Sequence, residues 1–302
     1  MVALLPNIFS VLIMTEFILG NFANGFIALV NYIDWVKRQK MSSADQILTA
    51  LAISRIGLLW ILLINWYTAV LRTGLYSLEA RTVVHVAWAV SNHFNIWFAT
   101  SLSIFYLVKI ANFSSFIFLY LKQRVKSILL VIILGTPVFL VPHITVLCLD
   151  ENMRTNEYEG NITQKTKLKG VFHLSFMTLF TLVNFIPFSI SLTSCLLLII
   201  SLWKHLKKIQ LNLKGSQDLS TKVHIRAMQT VVSFLLLHVS YFLALIISVW
   251  NSERLKNQLF VMLCEVLAML YPLSHSFILI WKNKKLRSYL KNIRKIIRLP
   301  YH

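Results

Sequence analysis

The sequence predicts an all-α membrane protein: a bundle of seven transmembrane helices, with the N-terminus extracellular and the C-terminus cytoplasmic. Three observations carry that expectation. Hydrophobic residues make up 57% of the 302 positions and charged residues only 14%, against roughly a quarter charged in soluble domains. Seven apolar stretches reach the length of about 20 residues that a bilayer crossing needs. The basic residues, 30 Lys and Arg against 11 Asp and Glu for a formal charge of +19, gather on one side of those stretches. On a soluble chain that surplus would suggest nucleic acid. The segregation explains it without one, so no nucleic-acid partner is expected.

The first stretch, 7–33, has no basic segment before it and is too long for a cleavable leader, so it is expected to stay as a signal-anchor. The second, 46–71, carries Arg55 and Trp66. The third, 83–111, holds several polar residues, as does the fifth, 176–203, so both are expected to face other helices rather than lipid. The fourth, 125–147, leads into a long loop, and the sixth, 227–250, carries Tyr241. The seventh, 259–281, holds Glu265, His275 and Ser276 and ends the receptor domain, 1–281. The tail, 282–302, sets Leu286, Tyr289, Leu290, Ile293 and Ile297 at three- and four-residue spacing among Lys and Arg. That is the pattern of an amphipathic helix resting on anionic membrane lipid.

Orientation follows from counting. The segments after the odd-numbered spans hold 21 Lys and Arg, the opposite side holds eight, and Arg55 lies within a span. The richer side is cytosolic by the positive-inside rule. The sequon Asn161-Ile162-Thr163 then falls outside, where glycan can be added, and Asn112-Phe113-Ser114 falls inside and should stay bare. Three cysteines, Cys148, Cys195 and Cys264, make no disulfide framework. A Cys148–Cys264 bridge is left open.

Ionisable groups inside the hydrocarbon are costly and point to function. Arg55 sits about nine residues up its span, roughly 14 Å from the inner end. Asn24 lies at matching depth, and His275 and Ser276 lie somewhat nearer the inner end. Two compatible readings stand: a polar clasp that holds three helices in register, and a switch element. Glu265 lies about a turn and a half below the outer end of its span. It is either a protonated carboxyl bonded to a neighbour or an anchor for a cationic or hydrogen-bonding ligand. Trp88 and Asn92 share a face four residues apart, and Tyr241 and Trp66 lie at comparable depth. Their convergence outlines an outward-facing pocket with an aromatic wall suited to a cation. The basic inner segments are expected to meet a cytosolic partner through Lys109, Lys204, His205, Lys207, Lys208 and Lys222. Glu16 has no assigned role.

Catalysis finds no motif: there is no His-Glu-x-x-His and no Gly-x-Ser-x-Gly. No metal site is indicated, because the histidines lack ligand spacing, and no cofactor is expected. A transporter would show paired halves with broken helices, and these are absent from the pattern.

Six motifs in order resemble one family, the bitter taste receptors, which are type 2 taste receptors among the G-protein-coupled receptors. They are Gly20-Asn21-Phe22-Ala23-Asn24-Gly25-Phe26-Ile27, Leu51-Ala52-Ile53-Ser54-Arg55, and Phe105-Tyr106-Leu107-Val108-Lys109-Ile110-Ala111-Asn112-Phe113-Ser114. Pro187-Phe188 leading to Ser201-Leu202-Trp203-Lys204-His205, Ser220-Thr221-Lys222-Val223-His224, and His275-Ser276-Phe277-Ile278-Leu279-Ile280 complete the set. Asp-Arg-Tyr, Asn-Pro-x-x-Tyr and a cysteine at the outer end of span three are all missing, as is usual in that family. Leu219 departs from it, standing where proline is common. The resemblance implies detection of bitter small-molecule agonists at the plasma membrane. It also implies coupling to a gustducin-type heterotrimeric G protein, with calcium raised through phospholipase C. It places Trp88, Asn92, Tyr241 and Glu265 in the agonist pocket, Asn24, Arg55 and Ser276 in an inner polar network, and glycan on Asn161. An odorant- or pheromone-type receptor of the same architecture is the competing reading.

Overall fold

The computed structural model describes residues 4–38, 40–71, 78–111, 113, 115–155, 162–212, 219–251 and 258–298. Among these, ten helices form and no strand does. They are α1 (Leu4–Arg38), α2 (Ser43–Leu71), α3 (Leu78–Ile110), α4 (Phe116–Gln123), α5 (Val125–Gly135), α6 (Pro137–Thr155), α7 (Ile162–Asn212), α8 (Leu219–Trp250), α9 (Gln258–Lys282) and α10 (Lys284–Arg298). Asn161 and both ends of the Asn112-x-Ser114 sequon lie outside the described residues.

Among the described residues, six helical stretches are long and apolar enough to cross a membrane: Asn7–Lys37, Ser43–Thr68, Val125–Met153, Leu168–Lys208, His224–Trp250 and Met262–Lys282. The third expected span is the exception, and its sequence shows why. At 33 residues α3 is as long as its neighbours. However, it buries Asn92, His93, Asn95, Thr100, Ser101 and Ser103, which dilutes its apolar character. A helix that hides polar groups among other helices satisfies them there and needs no apolar surface at those positions.

The packing is a closed ring, α1–α2–α3–α7–α8–α9 and back to α1, with α6 laid across α3 and α7. α1 and α2 approach closely at Gly20, where a Cβ would stand 2.8 Å from Leu59 Cδ1. Large apolar side chains such as Val11, Phe22, Val131, Val138 and Leu236 point outward, as they should where lipid rather than water is the surrounding solvent.

The fourth apolar run, expected as one element, breaks into α5 and α6 around Thr136. Pro137 has no N–H to continue the ladder and takes the first position of the new helix. The break is shallow, since Thr136 N still bonds Ile132 O at 3.1 Å and Leu140 N bonds Thr136 O at 3.3 Å. In α7, Pro187 interrupts 51 residues of helix, and its carbonyl accepts a bond from Thr100 Oγ1 of α3 at 3.0 Å. The tail is helical and docked. Asn283 Oδ1 caps α10 by accepting from Lys285 N at 2.9 Å, and Leu286 is fully buried while Leu290 and Ile293 stay exposed. Cys148, Cys195 and Cys264 are free thiols, so no Cys148–Cys264 bridge forms.

Candidate functional site

One face of α3 organises the interior. Arg81, His85, Trp88, Asn92 and Asn95 follow one another at spacings of four, three, four and three residues, so they line a single stripe along the helix. Arg81 and His85 lie at the end called upper here, and Asn95 lies at mid-bundle.

Beside the upper part of the stripe is a cavity of about 290 Å³, walled by α2, α3, α6, α7, α8 and α9. Trp88 and Glu265 both line it. Trp88 is held by stacking on Phe180, with ring centroids 5.8 Å apart and planes 16° from parallel. Glu265 Oε2 is buried with no hydrogen-bond partner among the described residues, a costly state for a carboxylate. A ligand ammonium or hydroxyl in the cavity would supply what it lacks.

Asn92 and Tyr241 take a different place. Tyr241 O–H donates to Asn92 Oδ1 at 2.6 Å, and Asn92 Nδ2 donates to Asn184 Oδ1 at 3.1 Å. Both residues are about 1% exposed. They join α3, α7 and α8 in a sealed layer and are not among the cavity's lining residues. Trp66 is also absent from the lining. It packs against the core, and the α2 wall is made by Leu62 and Asn65 instead.

The structure adds lining residues that the sequence reading missed: His85, Asp150, Glu151 and His173, with Phe176 between them. His85 carried a usable signal, standing three residues before Trp88 on the same face. Asp150 and Glu151 carried none, because they follow the apolar run and read as loop, whereas α6 continues through them to Thr155.

Below the sealed layer lies Arg55, 0% exposed. Its Nε donates to Asn95 Oδ1 at 3.2 Å, Nη1 to Ser276 Oγ at 3.0 Å and Nη2 to His275 Nδ1 at 2.5 Å. Ser276 Oγ in turn faces Asn24 Oδ1 at 2.7 Å, and the guanidinium sits 5.3 Å from the centre of the Tyr271 ring. The network thus joins α1, α2, α3 and α9. Asn24, Arg55, His275 and Ser276 are all in it, together with Asn95 and Tyr271. The guanidinium is met by neutral acceptors and a π face, which spread its charge in the absence of a carboxylate among the described residues.

At the lower end a second cavity of about 340 Å³ has an apolar wall including Leu102, Leu198 and Phe234, and a basic rim of Arg226, Lys282, Lys284 and Arg287. His275 reaches its roof. Lys109, Lys204, His205, Lys207 and Lys208 are exposed nearby at the ends of α3 and α7 but do not line it. Lys222 lies in the first turn of α8. His205 meets His224 across the α7–α8 gap, with ring centroids 4.5 Å apart.

A helix bundle with membrane-length apolar helices, a small-molecule-sized cavity at one end and a basic cavity at the other has the layout of a multi-pass membrane receptor. Comparison with known proteins narrows this. The family model described as Taste receptor protein (TAS2R) matches residues 1–298, and the chain belongs to that family. It is 62% identical over 287 residues to taste receptor type 2 member 50 of Pan troglodytes, covering 95% of this chain and 96% of the relative. It is 61% identical over 287 residues to putative taste receptor type 2 member 33 of Homo sapiens, covering 95% and 93%. Against taste receptor type 2 member 43 of Papio hamadryas it is 59% identical over 293 residues, covering 97% and 95%.

Proposed function

We propose that this protein is a seven-span bitter taste receptor of the plasma membrane, with α3 as the seventh span, the upper cavity open to the outside and α10 in the cytosol. An agonist entering the upper cavity contacts Trp88 and Glu265 and favours an arrangement in which the lower cavity admits the C-terminal helix of a gustducin-type G protein. Phospholipase C and calcium signalling follow. The agonist drives this shift by binding the active arrangement more tightly than the resting one.

The observation that carries the reading is the pairing, in one cavity, of an aromatic wall with a carboxylate oxygen that has no partner among the described residues. The cavity is otherwise mostly apolar, so recognition is broad and weak, in the micromolar region or about 8 kcal/mol. The α3 stripe supports the coupling, since Trp88 in the cavity, Asn92 in the sealed layer and Asn95 on Arg55 belong to one rigid face. Lys109, Lys204, His205, Lys207, Lys208 and Lys222 face the G protein around the basic rim, and Asn161 carries glycan.

A calcium assay in cells supplied with a gustducin-type G protein tests this with a panel of bitter compounds. Glu265→Gln is expected to weaken cationic agonists selectively. If every cationic agonist keeps its potency, the anchor is wrong; if no bitter compound raises calcium in the unaltered receptor, the ligand class is wrong.

A further inference from the structure

We propose that Arg81, Glu151 and His85 form an ionic clasp that fixes the rotation of α3 at the mouth of the upper cavity, with Arg81 acting as a positioning residue for Trp88. The functional half of this proposal rests on the ligand-binding reading of that cavity; the structural half does not.

Glu151 Oε2 accepts from Arg81 Nη2 at 2.6 Å, and Glu151 Oε1 lies 2.8 Å from His85 Nδ1. The two nitrogen groups come from α3 and the carboxylate from α6, so one side chain straps two neighbouring helices. The preceding residue works in the opposite direction: Asp150 Oδ2 is 3.5 Å from His173 Nδ1 of α7. α6 packs against α3 and α7, and these consecutive carboxylates tie its upper end to both ring helices at once.

The clasp bears on recognition because of where it falls. Arg81 and His85 lie on the same face of α3 as Trp88, seven and three residues before it, and His85, Glu151 and Trp88 all border the cavity. Turning α3 to break the clasp turns the tryptophan with it. A covalent tie cannot do this job, since α3 contains no cysteine and all three thiols are free.

An ionic clasp has properties a disulfide lacks. The Arg81 side chain is 45% exposed and that of Glu151 only 9%. Salt therefore reaches the guanidinium and weakens the pair. Loss of Arg81 takes one cationic partner from a mostly buried carboxylate.

The test has two arms on the full-length receptor in lipid nanodiscs and in cells. Without any ligand, thermal melting is followed by the loss of helical circular dichroism. Arg81→Met and Arg81→Glu are expected to melt below the wild type and Arg81→Lys close to it, and Arg81→Glu combined with Glu151→Arg is expected to recover part of the loss. Raising NaCl from about 50 to about 500 mM should lower wild-type melting more than that of Arg81→Met. In the calcium assay, Arg81→Met should raise the half-maximal concentration of cationic and neutral agonists alike, by about three- to tenfold, with the maximal response kept. Equal melting of wild type and Arg81→Met at low salt, or charge reversals that do not rescue one another, overturns the clasp. A loss confined to cationic agonists overturns the positioning role and makes Glu151 a ligand contact. Because melting needs no agonist, failure of the bitter reading leaves this arm intact.

Discussion

Replacing Tyr241 with phenylalanine removes one oxygen from the interior and changes little else. The ring keeps its stacking on Tyr271, with centroids 4.7 Å apart and planes 22° from parallel, and its volume is nearly conserved. What disappears is the 2.6 Å bond to Asn92 Oδ1. Asn92 remains tethered through Nδ2 to Asn184, so its amide cannot swing away to find another donor. A buried acceptor left in that condition costs about 1–3 kcal/mol, and Tyr241→Phe is expected to lose stability at the lower half of that range. A double-mutant cycle with Asn92→Ala isolates the bond. The variants are melted as purified protein in nanodiscs, and the coupling between the two sites should be about 1 kcal/mol, above the roughly 0.3–0.5 kcal/mol scatter of independent sites. Additive losses would refute the bond as the link between α3 and α8. A second refuting result is a Tyr241→Phe variant that melts like the wild type yet responds poorly to agonists. It would put the hydroxyl in the cavity, in contact with ligand, instead of in the sealed layer beneath.

Two further expectations concern the lower end. Lys285 Nζ lies 2.8 Å from Asp45 Oδ1 and 3.5 Å from Asp34 Oδ2, so one ammonium joins α10 to both α1 and α2. Lys285→Met should loosen α10 without unfolding the bundle, seen as faster amide hydrogen exchange confined to 284–298, whereas Lys285→Arg should leave exchange unchanged. The His205–His224 contact spans α7 and α8 edge to face, with ring centroids 4.5 Å apart and planes 75° from parallel. His224→Ala is expected to lower the melting temperature of the purified receptor slightly, and His224→Phe, which keeps an aromatic ring against His205, should restore most of the loss.

Much of the fold was legible because lipid imposes a simple demand: backbone groups must bond within the segment, and side chains must be apolar over about 20 residues. Six apolar stretches met it outright. α3 was expected as a further span; it forms a helix of 33 residues whose buried polar groups keep it from meeting the demand outright. Arg55, Asn24, His275 and Ser276 could be placed near one another from depth alone. Depth does not give the direction in which a side chain points, however. Tyr241 and Trp66 share the level of Trp88 and Glu265, yet neither borders the cavity, since their helices turn those positions toward the sealed layer and the core. The clasp partners on α6 were hidden for a different reason. Asp150 and Glu151 end the apolar pattern, and nothing local signals that the helix runs on past them. The break at Thr136 was masked in turn by the unbroken apolar run on both sides of Pro137.

The length of α7 has a mechanical consequence. Its 51 residues span about 77 Å at 1.5 Å each, more than twice the roughly 30 Å of hydrocarbon in a bilayer. Pro187, where one rung of the backbone ladder is missing, stands near the middle. The arm from there to Asn212 is about 38 Å long, so a bend of only about 5° at the proline carries its tip some ~3 Å sideways. Lys204, His205, Lys207 and Lys208 ride on that arm. The bond from Thr100 to the Pro187 carbonyl seats that weak point directly against α3, the helix that also carries Trp88 in the upper cavity.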